Sequence, residues 1–319
     1  MTDSRTVWLP YLPEDFPGRL PAELTYYYWD GVADFPSDPE DVRFLVLPPV
    51  PGEEQKILDR LLPRIERLEV LQVLSSGHDA LEPYLGLLPP GARVATARGV
   101  HSENTAELAA TLLLAATRGL DHFFRRQSAR QWQPRRFPTL SGSNVLVVGQ
   151  GAVGTAVAAR LAPFGCRVVR VARTARDGMD GRVHAVAELH ELLPGADAVV
   201  LCVPLTDDTR DLMNASRLAL MKDGAVLVNV GRGELVDAQA LVREVEHGRL
   251  RAALDVTAPE PLPPDHPLWD LPGVMITPHI GAFTHAFTRT SLDFILRQLR
   301  DYARGETPAN VLPLMADAR

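Results

Sequence analysis

Three side chains in the second half of the chain can together handle a carboxylate and a proton: Arg232, Glu260 and His279. Arginine grips a carboxylate through two parallel hydrogen bonds. Histidine moves a proton near neutral pH, and a neighbouring carboxylate raises its pKa and fixes its tautomer. Each residue has a plainer reading when taken alone. A histidine after a proline, as in Pro278-His279, is commonly structural. Glu260 sits in the proline-rich run 259–264 and can be solvated, and Arg232 between two glycines can simply brace a turn.

What joins the three is the pattern around them. From Asn144 onward short apolar runs alternate with helical spacing. Strands are expected at 145–148, 167–171, 198–203, 225–230, 252–255 and 274–277, the signature of a parallel, doubly wound sheet. Four of these runs end in polar groups: Pro204-Leu205-Thr206, Gly231-Arg232-Gly233, Asp255 with Glu260 five residues on, and Pro278-His279-Ile280-Gly281. Strand carboxyl ends of one parallel sheet converge on one crevice. The first run leads into Gly149-Gln150-Gly151-Ala152-Val153-Gly154, a G-x-G-x-x-G between a strand and the helical pattern 155–162. In that context Gly149 permits a tight turn, Gly151 lets backbone approach a pyrophosphate, and Gly154 lets helix and strand pack closely. The helix N-terminus then faces the anion. The alternative is a glycine turn that merely packs. Together these are the parts needed to reduce a 2-keto acid with a nicotinamide hydride.

The second run also indicates which dinucleotide. An NAD-preferring site ends that strand with Asp or Glu, which bonds the ribose 2′-hydroxyl. Here Ala172 stands at that place, followed by Arg173, Thr174 and Arg176. Arginine and a threonine hydroxyl suit a 2′-phosphate, so NADPH is expected, with NADH possible. Asp177 weighs slightly against this, since one more turn of loop brings it back to the ribose.

The rest of the chain sets bounds. Its 319 residues suggest about two domains, and a hydrophobic fraction of 46% is ordinary for a globular protein. A net charge of −7 gives no general affinity for nucleic acid or anionic membrane. The arginines between 125 and 136 read as a solvated connection. Cys166 and Cys202 read as reduced, buried thiols, and no metal ligands are assigned. No basic-then-apolar leader opens the sequence, and the apolar stretch 106–117 is too short to span a bilayer, so a soluble, cytoplasmic protein is expected. Residues 1–101 read as a small α/β lobe: strands at 7–9, 44–47, 70–74 and 94–95, a helix at 53–62, and loop from 10 to 39. The 70–74 strand ends in Ser75-Ser76-Gly77-His78-Asp79, either an ordinary turn or a ligand site. Residues 102–119 form the clearest helix, with Asn104 and Glu107 at capping-box spacing and Gly119 closing it. Being apolar nearly all round, it is expected to lie between lobes or between subunits, which predicts a homodimer.

Taken together, SSGHDAL at 75–81, TAELAATLLLAATR at 105–118, GQGAVG at 149–154, VPLTDDTRDLM at 203–213, NVGRGELVD at 229–237, ALDVTAPEPLP at 253–263 and TPHIGAFT at 277–284 closely resemble the D-2-hydroxyacid dehydrogenase family, in its glyoxylate/hydroxypyruvate reductase branch. The resemblance spans roughly residues 43–283. It implies two doubly wound lobes: a Rossmann cofactor domain at 102–283 and a smaller flavodoxin-like substrate domain built from 1–101 and 284–319. It implies a D-hydroxy acid product, with Arg232, Glu260 and His279 catalytic. Cofactor contacts would fall on Gly149 to Gly154, Val203, Pro204, Thr209, Val230, Gly231, Asp255 and Gly281. The substrate carboxylate would be held by Ser76, Gly77 and His78 with Arg232. Homodimers usually form through the cofactor domain in this family.

The sequence departs from the pattern at His78, where an aliphatic residue is expected, and at Ala282-Phe283, where smaller residues are expected. A formate dehydrogenase is disfavoured, because that branch lacks the partner that Glu260 supplies. Some relatives act as dinucleotide-sensing regulatory proteins without metabolic turnover; no basic tail or polar extension marks that role here.

Overall fold

The computed structural model describes residues 5–50, 52–178 and 181–313. The chain divides into two compact units, Met1–His101 with His285–Arg319, and Ser102–Thr284. Among the described residues no helix is long and apolar enough to cross a membrane.

In the first unit β1 (Arg5–Leu9), β2 (Leu24–Tyr28), β3 (Val42–Val46), β4 (Val70–Gln72) and β5 (Arg93–Ala95) form a parallel sheet in the order β2-β1-β3-β4-β5. Side chains alternate across a strand, so β1 and β3 feed two cores. Trp8 and Leu45 pack with Ile57, Leu58 and Leu61 of α1 (Glu54–Leu61), while Val7, Leu9, Phe44 and Val46 pack with Leu292, Ile295, Leu296 and Leu299 of the C-terminal helix Ala286–Ala303. A buried amide pair ties that helix to the sheet: Gln298 Nε2 donates to Gln72 Oε1 at 2.7 Å, and Gln298 Oε1 accepts from Ala309 N at 2.9 Å. The stretch expected as loop between 10 and 39 contains β2. Its Tyr26–Tyr28 run has strand character, but prolines and aspartates on either side conceal it.

The second unit carries eight strands: β6 (Asn144–Val148), β7 (Arg167–Ala172), β8 (Arg176–Gly178), β9 (Gly181–Ala185), β10 (Ala198–Leu201), β11 (Val226–Asn229), β12 (Arg251–Leu254) and β13 (Val274–Ile276). Their order is β13-β12-β11-β10-β6-β7-β9-β8, parallel except for β8. Strand order reverses at β6, between β10 and β7, which is where doubly wound sheets bind ligands. The six expected strands are all present, three of them a residue or two shorter and the others within a residue of the expected bounds. The β8–β9 hairpin was not expected, because its mostly exposed, polar residues carry no apolar signal.

Helices cover both faces of this sheet. On one side α2 (Ser102–Thr117) and α4 (Ala152–Leu161) bury Ala106, Ala109, Leu112, Leu113, Val157 and Leu161 against Val145, Val147, Val200 and Val228. On the other, α5 (Leu189–Leu192), α6 (Ala215–Leu220) and α7 (Ala238–Glu246) bury Leu189, Leu218 and Leu241 against Leu146, Val148, Leu201 and Leu227. Three expectations change here. The apolar surface of α2 is covered largely inside its own unit, so it is no argument for a subunit interface. Asn104 is no cap: α2 begins at Ser102, and the Asn104 amide donates to Thr284 Oγ1 at 3.0 Å. The arginine-rich connection is partly helical, since α3 (Leu120–Ser128) extends through Arg125 and Arg126 before the exposed 129–136 segment. Gly119, at φ 67°, does close α2, and no side chain fits there because a Cβ would lie 2.4 Å from the Phe137 ring.

Candidate active site

The glycine turn shows why each glycine is needed. Gly149 has φ 120°, and a Cβ on it would stand 2.6 Å from Cys202 O. A Cβ on Gly154 would stand 1.8 Å from Gly149 O, so the first turn of α4 rides directly on the turn before it. Gly151 differs: a Cβ there would meet nothing within 4 Å and would project into the open space over the helix N-terminus. A helix N-terminus left open in this way suits an anion, through its free N–H groups and the helix dipole. Gln150, Ala152 and Val153 complete the turn, and Gly149 N is anchored to Val171 O at 2.8 Å.

Across the switch point, β10 and β11 end beside this turn. Val203 and Pro204 follow β10. The Thr209 hydroxyl closes the next loop on itself, donating to Pro204 O at 2.8 Å while accepting from Thr206 N at 2.8 Å. Val230 N donates to Leu201 O at 3.2 Å. The buried Asn229 clips the following turn: its Oδ1 accepts from Gly231 N at 3.0 Å, and its Nδ2 donates to Arg232 O at 2.7 Å. Glycine is required on both sides of Arg232. A Cβ on Gly231 would stand 2.8 Å from Val203 O, and one on Gly233 would stand 2.0 Å from the Thr257 carbonyl. Arg232 is half-buried, and its guanidinium donates to Gly231 O at 2.7 Å.

The turn after β13 is built on Asp255, which is 2% exposed at the end of β12. Its Oδ1 accepts from Thr277 Oγ1 at 2.6 Å and Ile280 N at 2.9 Å; its Oδ2 accepts from Gly281 N at 2.9 Å. Its carbonyl accepts from His279 N at 2.8 Å. Held this way, His279 adopts φ 52°, a left-handed conformation that costs a non-glycine residue of order 1–3 kcal/mol. The ring meets Glu260: His279 Nδ1 and Glu260 Oε1 are 2.5 Å apart. That hydrogen bond is the main reason the imidazole pKa is raised above its ordinary 6.5. Partial burial opposes the shift, the charge of Glu260 adds to it, Arg232 opposes it and Asp255 adds a little. With Nδ1 engaged, Nε2 is the atom left to exchange a proton.

At the opposite edge, Arg173 and Thr174 lie exposed in the bend that follows Ala172. Arg176 and Asp177 are in β8, an edge strand and not the loop expected. In that hairpin Asp177 stands opposite Arg182 in the backbone register, and the Arg182 side chain is bound by Glu188 at 3.0 Å.

Arg232, Asp255, Glu260 and His279 are thus gathered at the strand ends of one unit. Ser76, Gly77 and His78 belong to the other unit, in the turn that follows β4 and opens into the 3-10 helix Asp79–Leu87. Within it, Ser75 Oγ donates to Gly77 O at 2.8 Å. Asn229 and Thr277 were not singled out from the sequence. Their signal was present, a lone polar residue closing an otherwise apolar strand.

A family model described as "D-isomer specific 2-hydroxyacid dehydrogenase, NAD binding domain" matches residues 110–281. The chain belongs to this family and is an oxidoreductase with a nicotinamide dinucleotide cofactor. It is 30% identical to a glyoxylate reductase of Pyrococcus furiosus over 94% of this chain and 93% of that protein. It is 32% identical to a D-3-phosphoglycerate dehydrogenase of Methanocaldococcus jannaschii over 81% of this chain and 50% of that one. Among solved structures, a D-isomer specific 2-hydroxyacid dehydrogenase from Xanthobacter autotrophicus, in complex with NADPH and MES, superposes with a TM-score of 0.78 at 29% identity, covering 97% of this chain and 98% of that one. An NADPH-dependent glyoxylate/hydroxypyruvate reductase from Sinorhizobium meliloti, in complex with NADP and malonate, gives 0.76 at 25% identity, covering 98% and 97%.

The raised pKa of His279 has a definite sign. Its contribution to stability is fully present below the unfolded pKa and is lost as pH rises through the folded value above 6.5. Titration of the His279 ring by nitrogen-15 NMR is expected to give a midpoint above that of a free imidazole. Glu260→Gln is expected to lower it, and a midpoint indifferent to that substitution contradicts the cause given.

Proposed function

We propose that this protein reduces a small 2-keto acid, glyoxylate or hydroxypyruvate before others, to the D-2-hydroxy acid with NADPH. The observation that carries the reading is the His279–Glu260 pair on the same sheet edge as Arg232 and the glycine cradle. When bound, the dinucleotide supplies the hydride. His279 holds a proton at Nε2 and gives it to the keto oxygen as charge develops there. Glu260 fixes the ring through Nδ1 and keeps it protonated. Arg232 binds the substrate carboxylate and polarises the keto group.

In this reading Ser102–Thr284 is the cofactor unit. The other unit offers the substrate carboxylate the backbone N–H groups around Ser76 and Gly77, with His78 beside them. NADPH is supported by Ala172 where a carboxylate would repel a 2′-phosphate, by exposed Arg173 and Thr174, and by the NADP-bound structures of two relatives. Asp177 lies in a paired strand and not in the loop that the sequence suggested, which also favours this reading. We also propose a homodimer, now on a different surface from the buried face of α2. Leu114, Leu120 and Phe123 line a concavity where α2 meets α3, and Leu120, Phe124 and Trp132 are 37%, 55% and 99% exposed. Apolar side chains grouped in this way mark interfaces.

Three experiments test these points. His279→Ala is expected to lower turnover of glyoxylate and hydroxypyruvate by ~10²–10⁴-fold while NADPH still binds. Near-wild-type turnover, or preference of the wild type for a long aromatic keto acid, refutes the assignment. Arg173→Ala is expected to lower kcat/KM for NADPH relative to NADH by about 10- to 100-fold, the equivalent of one charged hydrogen bond; an unchanged ratio removes Arg173 from the site. Sedimentation at micromolar protein should give twice the chain mass, and a value near 35 kDa counts against the dimer.

A further inference from the structure

We propose that Thr277 is a positioning residue for proton transfer at His279: its hydroxyl fixes the Asp255 carboxylate in the orientation that holds the 279–281 turn. This rests on the reading of His279 as proton donor and adds a residue to it.

Thr277 extends β13 by one residue, with its N–H bonded to Leu254 O at 2.9 Å. Threonine is stiff at χ1, so its hydroxyl is aimed with little freedom. It donates to Asp255 Oδ1 at 2.6 Å, the shortest of the three contacts to that carboxylate. A carboxylate's terminal torsion is broad when nothing holds it. Here the plane must face the N–H groups of Ile280 and Gly281 together, one on each oxygen. The fit is tight: a Cβ on Gly281 would stand 3.0 Å from Asp255 Oδ2 and 3.3 Å from Thr105 Cγ2, so a side chain there would have to push one of them back. Two consecutive N–H groups tied to one carboxylate keep His279 in its left-handed conformation, and that conformation directs the ring at Glu260.

Loss of the Thr277 hydroxyl frees the carboxylate to turn, and the His279 backbone can relax to a commoner conformation. The groups facing His279 are Glu260 from the 255–264 segment, Asp255 from the end of β12 and Arg232 from the end of β11. A ring drifting from Glu260 keeps the repulsion of Arg232 and loses its main stabilising bond. Proton affinity at His279 therefore falls, along with the fraction of time that Nε2 is correctly aimed.

The test uses the full chain with glyoxylate and NADPH. Thr277→Val keeps the shape and removes the donor; Thr277→Ala removes it without filling the space; Thr277→Ser keeps it. Expected for Val and Ala are a fall in kcat of about tenfold or more, a KM for NADPH within about twofold of wild type, and a basic limb moved to lower pH. The His279 nitrogen-15 titration midpoint of the cofactor-free protein should move the same way. Serine should restore kcat, the basic limb and the midpoint. Three results overturn the proposal: kcat within about twofold of wild type for both Val and Ala, a lowered kcat with an unmoved titration midpoint, or no rescue by serine. His279→Ala run alongside separates the two levels. If it keeps its turnover, the proton-donor reading fails. If it is inactive while the Thr277 variants behave as wild type, only the role of Thr277 fails.

Discussion

A buried carboxylate that receives N–H and O–H groups from a single turn does more than stabilise that turn; it selects its conformation. Asp255, almost wholly buried, accepts from Thr277, Ile280 and Gly281 through its side chain and from His279 through its carbonyl. An ionised carboxylate taken from water needs such partners, because burying an uncompensated charge costs several kcal/mol. The chain meets that requirement by wrapping the 277–281 segment around it, and the left-handed backbone of His279 is the consequence. The orientation of the proton-bearing ring is thereby coupled to the register of β12 against β13, where Leu254 pairs with Ile276.

The neighbouring strand ends obey the same logic with glycine in place of carboxylate. Gly149, Gly231 and Gly233 each bring backbone from one crossover within van der Waals distance of another, closer than a side chain permits, and Gly154 does the same within its own turn. Polar backbone at a sheet's carboxyl edge would otherwise be open to water or poorly paired. Here Asn229 and Asp255 take up the groups that the strands leave over, which keeps the turns short and rigid. Side chains placed on short turns are located better than side chains on long loops. Arg232 and His279 are placed in this way, while Glu260 comes from the longer connection between β12 and β13.

Much of this was legible in the sequence. The six buried strands of the second unit stood out because parallel strands covered on both faces read as continuous apolar runs, and Arg232, Glu260 and His279 were found from the polar groups just beyond the ends of those runs. The misses have physical causes. Strands β8 and β9 sit at a sheet edge, with little to bury, so hydrophobic periodicity says nothing of them. Strand β2 lies at the edge of the other sheet, and its tyrosines carried the only sign. Helix α2 looked like an interface because composition reveals that a helix is buried but not against what; its partners, α4 and strands β6, β10, β11 and β12, are distant in sequence. Asn104 had the spacing of a cap and donates its amide to Thr284, a partner 180 positions away. Thr277 was passed over because a threonine ending a strand is ordinary until its hydroxyl is seen on a buried carboxylate.

The unforeseen hairpin bears directly on cofactor choice. Read along the chain, Asp177 follows Arg176 closely enough to counter the positive charge at Arg173, and a flexible loop would allow either residue to reach a ribose. The sheet removes that freedom. Strand β9 pairs with β7 through Ala172 and Ala185, and β8 folds back so that Asp177 is opposite Arg182. A residue committed to a strand cannot wander back to the preceding bend. Glu188, whose own pKa is lowered to about 2 chiefly by the Ala185 N–H and the His184 ring, then takes the Arg182 guanidinium. The charge of Arg182 is thereby met within the hairpin's own surroundings, and Arg173 and Thr174 are the polar side chains that immediately follow β7. That placement is the physical ground on which NADPH is proposed over NADH.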